Sequence, residues 1–261
     1  MTILDIIKAV KIDFTQVLII TDSCSVLEFE FEIMPKEFLS YSKQDFKSRD
    51  KRGNINALTN AKRAIDCQID KIFSSLGLDP NDFPSVIEDY TENSKNSPTK
   101  KDLPIRLRFL QAMSFAPAEI IAKTRNLRNK LEHYYKEPTE NEVSEAIELA
   151  ELFILATDNK LKTLWNFLIT DKSKNNESKG YLWDSVYVTF NDREHYFETC
   201  GYIGKNDKKE LKVNNTDLVF YYLLKIATSF DYIEDVQDAA LDFIEYIGHP
   251  IPIKNVKFEN E

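Results

Sequence analysis

Residues 125–135 read RNLRNKLEHYY, a stretch that brings together side chains able to act on a phosphate group. His133 is one of only three histidines in the chain, and it follows Arg128 and Asn129 closely. Arginine offers a planar fork of N–H donors to phosphate oxygens, and histidine accepts and returns a proton near neutral pH. These groups suffice to cleave RNA without a metal ion, because the ribose 2′-hydroxyl supplies the nucleophile.

Helix geometry sets how these side chains can meet. Arg128 and His133 differ by about 140° of rotation and about 7.5 Å of rise, so they do not share one stripe of a helix. Asn126, Asn129 and His133 do share a stripe. A groove crossing the helix, or a second copy of the helix packed antiparallel to it, would bring Arg128, Asn129 and His133 around one phosphate.

The motif Arg128-Asn129-Lys-Leu-Glu-His133 resembles the HEPN superfamily. Its ribonucleases carry Arg-x4-6-His at the end of the third helix of a four-helix bundle, often as Arg-Asn-x3-His. Tyr135 extends the match to the Arg-x4-His-x-Tyr form of HEPN toxins that are paired with a nucleotidyltransferase antitoxin. The resemblance covers residues from about 54 to 169, and neither flank resembles a known family.

The resemblance implies a metal-independent RNA endonuclease that acts as a toxin or phage-defence effector and leaves 2′,3′-cyclic phosphate ends. In that role Arg128 binds and polarises the phosphate, His133 is the general base or acid, and Asn129 positions them. It also implies a homodimer with two facing motifs that form one composite site. Tyr135 would be a modification site for the antitoxin, and no cofactor is expected.

Charge along the chain is uneven. The net charge is -9 and the pI is about 5.1, which argues against non-specific coating of nucleic acid. Residues 100–136 nevertheless hold nine Lys and Arg against three acidic residues. This local basic patch suits an anionic ligand, and we expect Lys123, Arg125 and Lys130 to guide RNA to the motif. A solvated lysine-rich face with no partner is the alternative interpretation of the same pattern.

A second function from a different class fits the same residues. The protein could be a non-catalytic HEPN module that binds RNA, a nucleotide or a protein partner through the basic patch. The two hypotheses differ in whether RNA is cut and whether His133 is needed for the cut.

The elements that must position the motif are predicted from apolar periodicity. Helices are expected after Gly53 up to Gly77, over 103–115, over 117–135, and from the capping box of Thr139 and Glu142 through Leu168. Together they predict an antiparallel four-helix bundle over residues 53–170. The motif would lie at the end of its third helix.

Two flanking segments complete the predicted α+β, mainly α fold. Residues 1–52 are predicted to hold a short helix, a hairpin of strands 16–20 and 25–33, and a polar linker over 40–53. Residues 180–261 are predicted as an α+β segment with strands near 181–190, 195–204 and 210–213, followed by helices over 217–230 and 232–248. The N-terminal hairpin is expected to join the C-terminal sheet.

The remaining reactive residues give no second site. Three cysteines outside any CxxC pattern predict reduced thiols rather than a disulfide framework, and the dispersed histidines leave no metal site. His195 is expected to be a surface or packing residue, and His249 a loop residue. No apolar run reaches the ~20 residues of a membrane span, and a cytoplasmic protein is expected.

Overall fold

The computed structural model of the chain describes residues 1–27, 29–98, 102–174, 184–204 and 207–259, without the side chains of residues 128, 130 and 132. Contacts divide the chain into two compact units. The sheet unit comprises Met1–Leu27, Pro84–Ile87 and Thr163–Glu261, and the helical unit comprises Glu28–Phe83 and Glu88–Lys162. Both ends of the sequence therefore belong to one unit, and the middle forms the other.

One antiparallel sheet of five strands organises the described part of the sheet unit, and each strand pairs with the next one along the chain. The strands are β1 (Val17–Ser25), β2 (Leu164–Asp171), β3 (Val186–Asn191), β4 (Tyr196–Ile203) and β5 (Asp207–Asn214). The helices of this unit are α1 (Ile3–Val10), α8 (Leu218–Ala227) and α9 (Ile233–Tyr246). Single turns of 3-10 helix lie at Phe14–Gln16 and Ile253–Asn255.

Two helices pack on the same face of this sheet. The Phe197 and Phe220 rings, from β4 and α8, have centroids 5.2 Å apart. Gly201, four residues further along β4 and therefore on the same face, lies against α1. A Cβ atom added at Gly201 would lie 2.4 Å from Cγ2 of Ile6, so the close approach of α1 requires glycine here. We call this helix-covered side the inner face and the opposite side the outer face.

The helical unit consists mainly of packed helices. They are α2 (Pro35–Phe46), α3 (Lys51–Ser75), α5 (Ile105–Ala112), α6 (Ala118–Tyr134) and α7 (Glu140–Leu161). The helix α4 (Val86–Asn93) begins in the sheet unit and continues into the helical unit. The long α3 contacts α2, α6 and α7, because its apolar stripe of Ala57, Ala61 and Ile65 is fully buried.

A polar network joins three helices inside this unit. The carboxylate of Asp158 on α7 accepts from Lys36 Nζ of α2 at 2.8 Å and from Lys71 Nζ of α3 at 3.0 Å. The Gln68 amide nitrogen donates to Asp158 and to Thr157 Oγ1, at 3.1 and 2.8 Å. A buried carboxylate is stable only when it is paired in this way, so Asp158 fixes the relative positions of α2, α3 and α7.

Three sequence-based predictions of elements are wrong. The second strand, 25–33, does not form: β1 ends at Ser25, and residues 26, 27 and 29–33 are not in a strand. Most of the predicted linker over 40–53 is helical, since α2 begins at Pro35 and ends at Phe46, and α3 begins at Lys51. The last helix ends at Leu161, and residues 164–171 form β2 because they pair with β1.

Other predictions of elements are confirmed. The first helix, the helix before Tyr135, the C-terminal strands within the described residues, and the last two helices all form. Thr139 and Glu142 make the predicted capping box. The N-terminal strand joins the C-terminal sheet, although it does so as a single strand and not as a hairpin. Residues 181–183 of the predicted third strand lie outside the described residues.

The observed units also differ in extent from the three predicted segments. The helix α2 falls within predicted segment 1–52 but belongs to the helical unit, where it packs on α3. The strand β2 falls within predicted segment 53–170 but belongs to the sheet unit. The chain is thus α+β, with its sheet built from sequences on both sides of the helical unit.

Candidate functional site

The helix α6 carries the motif, and its first half anchors it. Ala118, Ile121 and Thr124 are buried, so the N-terminal half of α6 packs into the helical unit. The Ala118 N–H, which has no acceptor within the helix, donates to Gln111 Oε1 at 3.0 Å. Pro117 is the N-cap residue, and it has no backbone N–H group that could donate a helical hydrogen bond.

The second half of α6 presents the motif to solvent. Leu127 and Leu131 are half-buried, while Asn126, Asn129 and His133 are exposed along one stripe. Their spacing of three and four residues places them on one face, as the sequence predicts. This exposed stripe of Asn126, Asn129 and His133 is the part of the motif that the structure shows directly.

Arg128 and Lys130 belong to α6, and their side chains lie outside the described part of the structure. The helix places the Arg128 backbone five residues before His133. Among the described side chains, none donates to or accepts from His133 or Asn129.

Two tyrosines extend the exposed surface at the end of α6. Tyr134 is 78% exposed and Tyr135 is 90% exposed. Tyr135 adopts a left-handed backbone conformation, with φ 52°, and ends the helix as its C-cap residue. His133 lies in the last turn of the helix, where unpaired carbonyl groups concentrate negative potential.

Two of the three cations predicted to guide RNA, Lys123 and Arg125, are paired with acidic residues. Arg125 Nε lies 3.4 Å from Asp66 Oδ1 of α3, and Lys123 Nζ lies 3.7 Å from Glu145 Oε2 of α7. The Lys123 pair is exposed and contributes little, whereas the Arg125 pair is three-quarters buried and links α6 to α3. Arg125 therefore positions α6 within the helical unit.

Two more members of the basic patch are paired at α5. Arg106 pairs with Asp70 of α3, and its guanidinium lies 5.8 Å from the centroid of the Phe73 ring. Burial lowers the pKa of Arg106 from its usual value, and the negative charge of Asp66 opposes this shift. Arg108 Nη2 lies 3.1 Å from Glu88 Oε1. Lys100 and Lys101, also counted in the predicted patch, lie outside the described residues.

The acidic partners were missed by sequence reasoning. Asp66 lies 59 positions before Arg125, and no local pattern connects them. One weak signal was present, because Lys62 and Asp66 are four residues apart on α3 and form an ion pair. That pattern marks Asp66 as a charged residue of a helix surface, but it does not identify its partner on α6.

His195 packs near an aromatic ring, as predicted, and His249 lies in a loop, as predicted, where its ring also packs. The His249 ring lies 4.5 Å from the Phe14 ring in the sheet unit, and burial lowers its pKa. His195 occupies the turn between β3 and β4 with φ 54°, close to Phe190, and burial lowers its pKa as well. Within the residues that the structure describes, no group of three or more His, Cys, Asp or Glu side chains could hold a metal ion.

Comparison of the chain with protein-family models, with characterised proteins and with solved structures finds no match in any of the three. No helix among the described residues is long and apolar enough to span a bilayer. The function must therefore be argued from the exposed motif of α6 and its surroundings.

Proposed function

We propose that the protein is a HEPN-type, metal-independent RNA endonuclease of the toxin or phage-defence class. The observation that carries the proposal is the exposure of Asn129 and His133 on one stripe at the end of α6. A histidine of structural importance alone is usually packed or hydrogen-bonded, as His249 is against Phe14. His133 instead stands at a surface that a polymer can reach, next to two exposed tyrosines.

In the proposed reaction, the His133 imidazole removes the proton of a ribose 2′-hydroxyl. The 2′-oxygen attacks the adjacent phosphorus, and the bond from phosphorus to the 5′-oxygen breaks. The 5′-oxygen takes a proton, either from the same imidazolium or from the histidine of a second copy. Arg128 stabilises the negative charge that develops on the phosphorane oxygens, and Asn129 orients the reacting groups. The products are a 2′,3′-cyclic phosphate and a 5′-hydroxyl end.

A second copy is part of this proposal. The exposed stripe of α6 offers each phosphate one imidazole. If two α6 helices pair antiparallel, one histidine can remove the 2′-hydroxyl proton while the other protonates the 5′-oxygen. Such a two-fold contact buries the same surface on both chains and places each motif opposite the other. The exposed tyrosines at the end of α6 can then stack on the bases next to the cut.

Cleavage of a defined substrate tests the proposal. We expect purified protein to cut single-stranded RNA into fragments with 2′,3′-cyclic phosphate ends, and to leave the same sequence uncut as DNA. His133→Ala and Arg128→Ala should each lower the cleavage rate by at least about 10²-fold, the usual contribution of an acid–base or charge-stabilising group. His195→Ala is the matched control, since it removes a histidine from the β3–β4 turn and should cut at the wild-type rate.

The outcomes separate the two function classes. Intact RNA that is nevertheless bound by both wild type and His133→Ala would contradict the nuclease and favour a non-catalytic module that binds RNA. Cleavage that persists at the wild-type rate in His133→Ala would contradict the assigned role of the histidine. In bacteria, expression of the wild type should arrest growth, and expression of His133→Ala should not.

Regulation through Tyr135 is a further part of the proposal. At 90% exposure its hydroxyl is accessible to a nucleotidyltransferase antitoxin. Modification there would add negative charge two residues from His133 and repel the substrate phosphate. Co-expression with such an enzyme should add a nucleotide mass to the wild-type protein and not to Tyr135→Phe, which should also stay toxic. If Tyr135 stayed unmodified in the presence of an active antitoxin, the proposed regulation through Tyr135 would be wrong.

A further inference from the structure

The segment between β1 and α2 has the sequence of a strand without being one. In residues 29–33, Phe29, Phe31 and Ile33 alternate with Glu30 and Glu32, the pattern of a strand with one apolar and one acidic face. Phe29 is 38% exposed and Ile33 is 43% exposed. Apolar side chains of this size on an irregular surface segment expose area that strand pairing would bury.

The backbone of residues 29–33 makes few hydrogen bonds within the described residues: the Ile33 carbonyl accepts from Cys67 Sγ at 3.6 Å, and the N–H groups add one more. Among the described residues, the only hydrogen bond donated by a backbone N–H of residues 29–33 is a weak one from Phe31 to Met34 Sδ, at 3.3 Å. Backbone donors and acceptors are ordinarily satisfied within secondary structure or by water. Residues 29–33 therefore combine strand composition with backbone groups available for a strand partner.

The sheet unit offers an edge that is equally unpaired. β5 pairs with β4 on one side, and no strand of the described residues lies on its other side. In an antiparallel pair, alternate residues direct their N–H and C=O groups away from the partner strand. β5 can therefore accept a sixth strand by main-chain hydrogen bonding, the mode in which extended peptides bind to sheet edges.

A cleft lies beside this edge on the inner face of the sheet. It has a volume of about 560 Å³ and is bounded by β5, the first turns of α1 and α8, and the end of α9. Leu211 and Val213 of β5 line it, together with the half-buried apolar side chains of Leu4, Leu218, Val219 and Ile247. Thr2, Thr216 and Asp217 add polar groups to the lining. A strand added to β5 would direct every second side chain towards the apolar part of this cleft.

The outer face of β5 carries two lysines, each of which pairs with a glutamate of its own chain. Lys208 and Lys212 lie on that face with Glu210 between them. Lys208 pairs with Glu210, and Lys212 Nζ lies 3.1 Å from Glu194 and 3.6 Å from the Tyr196 ring centroid. Lysines on an edge strand normally discourage pairing with apolar strands. A strand whose outer side chains are glutamates is instead attracted to them.

We propose that residues 29–33 of a second copy of the chain add to β5 as a sixth strand, with Phe29, Phe31 and Ile33 over the apolar cleft and Glu30 and Glu32 beside Lys208 and Lys212. The same chain cannot supply this strand. Ser25 lies in β1 at the opposite edge, about 19 Å away across four strand spacings. The four residues from Ser25 to Phe29 span at most about 14 Å.

This contact joins two different surfaces of the chain. Reciprocal exchange between two copies closes it into a dimer, and non-reciprocal exchange extends it into longer assemblies. It is separate from the α6 pairing of the proposed nuclease, because it involves no residue of α6. The two can therefore fail independently.

A peptide binding measurement tests the contact directly. The probe is a fluorescent peptide of residues 26–34, VLEFEFEIM, added to the full-length protein and followed by anisotropy. We expect saturable binding that is lost when the peptide carries Phe29→Ser and Phe31→Ser. In the protein, K208E with K212E should weaken binding by about tenfold, since two attractive cross-strand pairs become repulsive. K47E with K254E is the matched control, with the same charge change at exposed sites away from β5, and should bind like wild type.

Charge exchange and self-association complete the test. A peptide with E30K and E32K should bind the K208E/K212E protein better than the wild-type protein. In sedimentation, K208E/K212E should reduce concentration-dependent association of the protein. The proposal is overturned if the peptide does not bind, or if binding ignores the charges on β5. It is also overturned if self-association is unchanged in K208E/K212E. His133→Ala should leave peptide binding unchanged, so the peptide measurement tests the strand contact independently of the nuclease proposal.

Discussion

His133 and Asn129 owe their exposure to the residues that bury the other half of α6. Ala118, Ile121 and Thr124 anchor the helix, and the polar stripe that follows faces solvent. The sequence predicted this stripe from spacing alone, because helical periodicity is local. It did not predict that Arg125 pairs with Asp66, because that contact joins residues far apart in the chain. Arg125 consequently helps to place α6 on α3, and its contact with RNA stays a prediction.

Asp158 gives a prediction for a single residue. Burial alone would raise the pKa of this carboxyl, but hydrogen bonds from Lys36, Lys71 and Gln68 outweigh burial and lower it. Because the folded-state pKa is depressed, Asp158 contributes stability that is fully present above its unfolded pKa of about 4. That contribution is lost as the pH falls through the folded-state pKa. We expect Asp158→Asn to lower the free energy of unfolding at pH 7 by about 2 kcal/mol.

Urea denaturation at several pH values checks this expectation. The difference between wild type and Asp158→Asn should shrink below about pH 4, where the wild-type carboxyl also becomes neutral. Glu92→Gln removes an exposed carboxylate from α4 and serves as the control. A variant as stable as wild type at pH 7 would show that the network does not hold the three helices together.

At the scale of elements, local patterns predicted helices well and strand pairing poorly. The alternation in residues 25–33 is that of a strand, yet β1 ends at Ser25 because its partner is β2 and not this segment. Residues 164–168 carry apolar spacing compatible with a continued helix, and pairing with β1 decides the outcome. Since a strand is stabilised by neighbours from distant sequence, the alternation of residues 25–33 does not by itself show that a strand forms there.

The start of α7 provides a prediction for an element. Thr139 Oγ1 accepts from the Glu142 N–H at 3.3 Å, and Glu142 Oε2 accepts from the Thr139 N–H at 2.9 Å. Thr139→Ala removes one half of this capping box and should lower the free energy of unfolding by about 1 kcal/mol. Thr139→Ser keeps the hydroxyl and should lose much less, as judged by thermal and urea denaturation. Equal losses for both variants would mean that the methyl group, and not the cap, stabilises α7.

At the scale of the whole molecule, the chain order alone does not reveal the two units. The helical unit is inserted in sequence between β1 and β2. The sheet therefore forms only when β1 pairs with β2, which follows the helical unit. The composition and the apolar periodicity of the sequence change near residues 53 and 170. Helices or strands begin or end near these positions, but the boundaries of the two units lie elsewhere. Because β2, the partner of β1, follows the helical unit in sequence, no local sequence pattern predicts that the two strands pair.

The division into units predicts how the molecule unfolds. Of the two tryptophans in the sequence, Trp165 lies in β2 of the sheet unit, with its ring centroid 6.3 Å from that of Phe230, and Trp183 lies outside the described residues. In a Trp183→Phe background the fluorescence of Trp165 therefore reports the sheet unit, whereas circular dichroism at about 222 nm reports mainly the longer helices of the helical unit. We expect the two signals to change at different urea concentrations, since compact units with their own cores unfold separately.

Two variants test this assignment of the signals. Gly201→Val forces a side chain against Ile6 and should shift the fluorescence transition, while Asp158→Asn should shift the dichroism transition. Coincident transitions that both variants move together would show instead that the chain unfolds as one cooperative body.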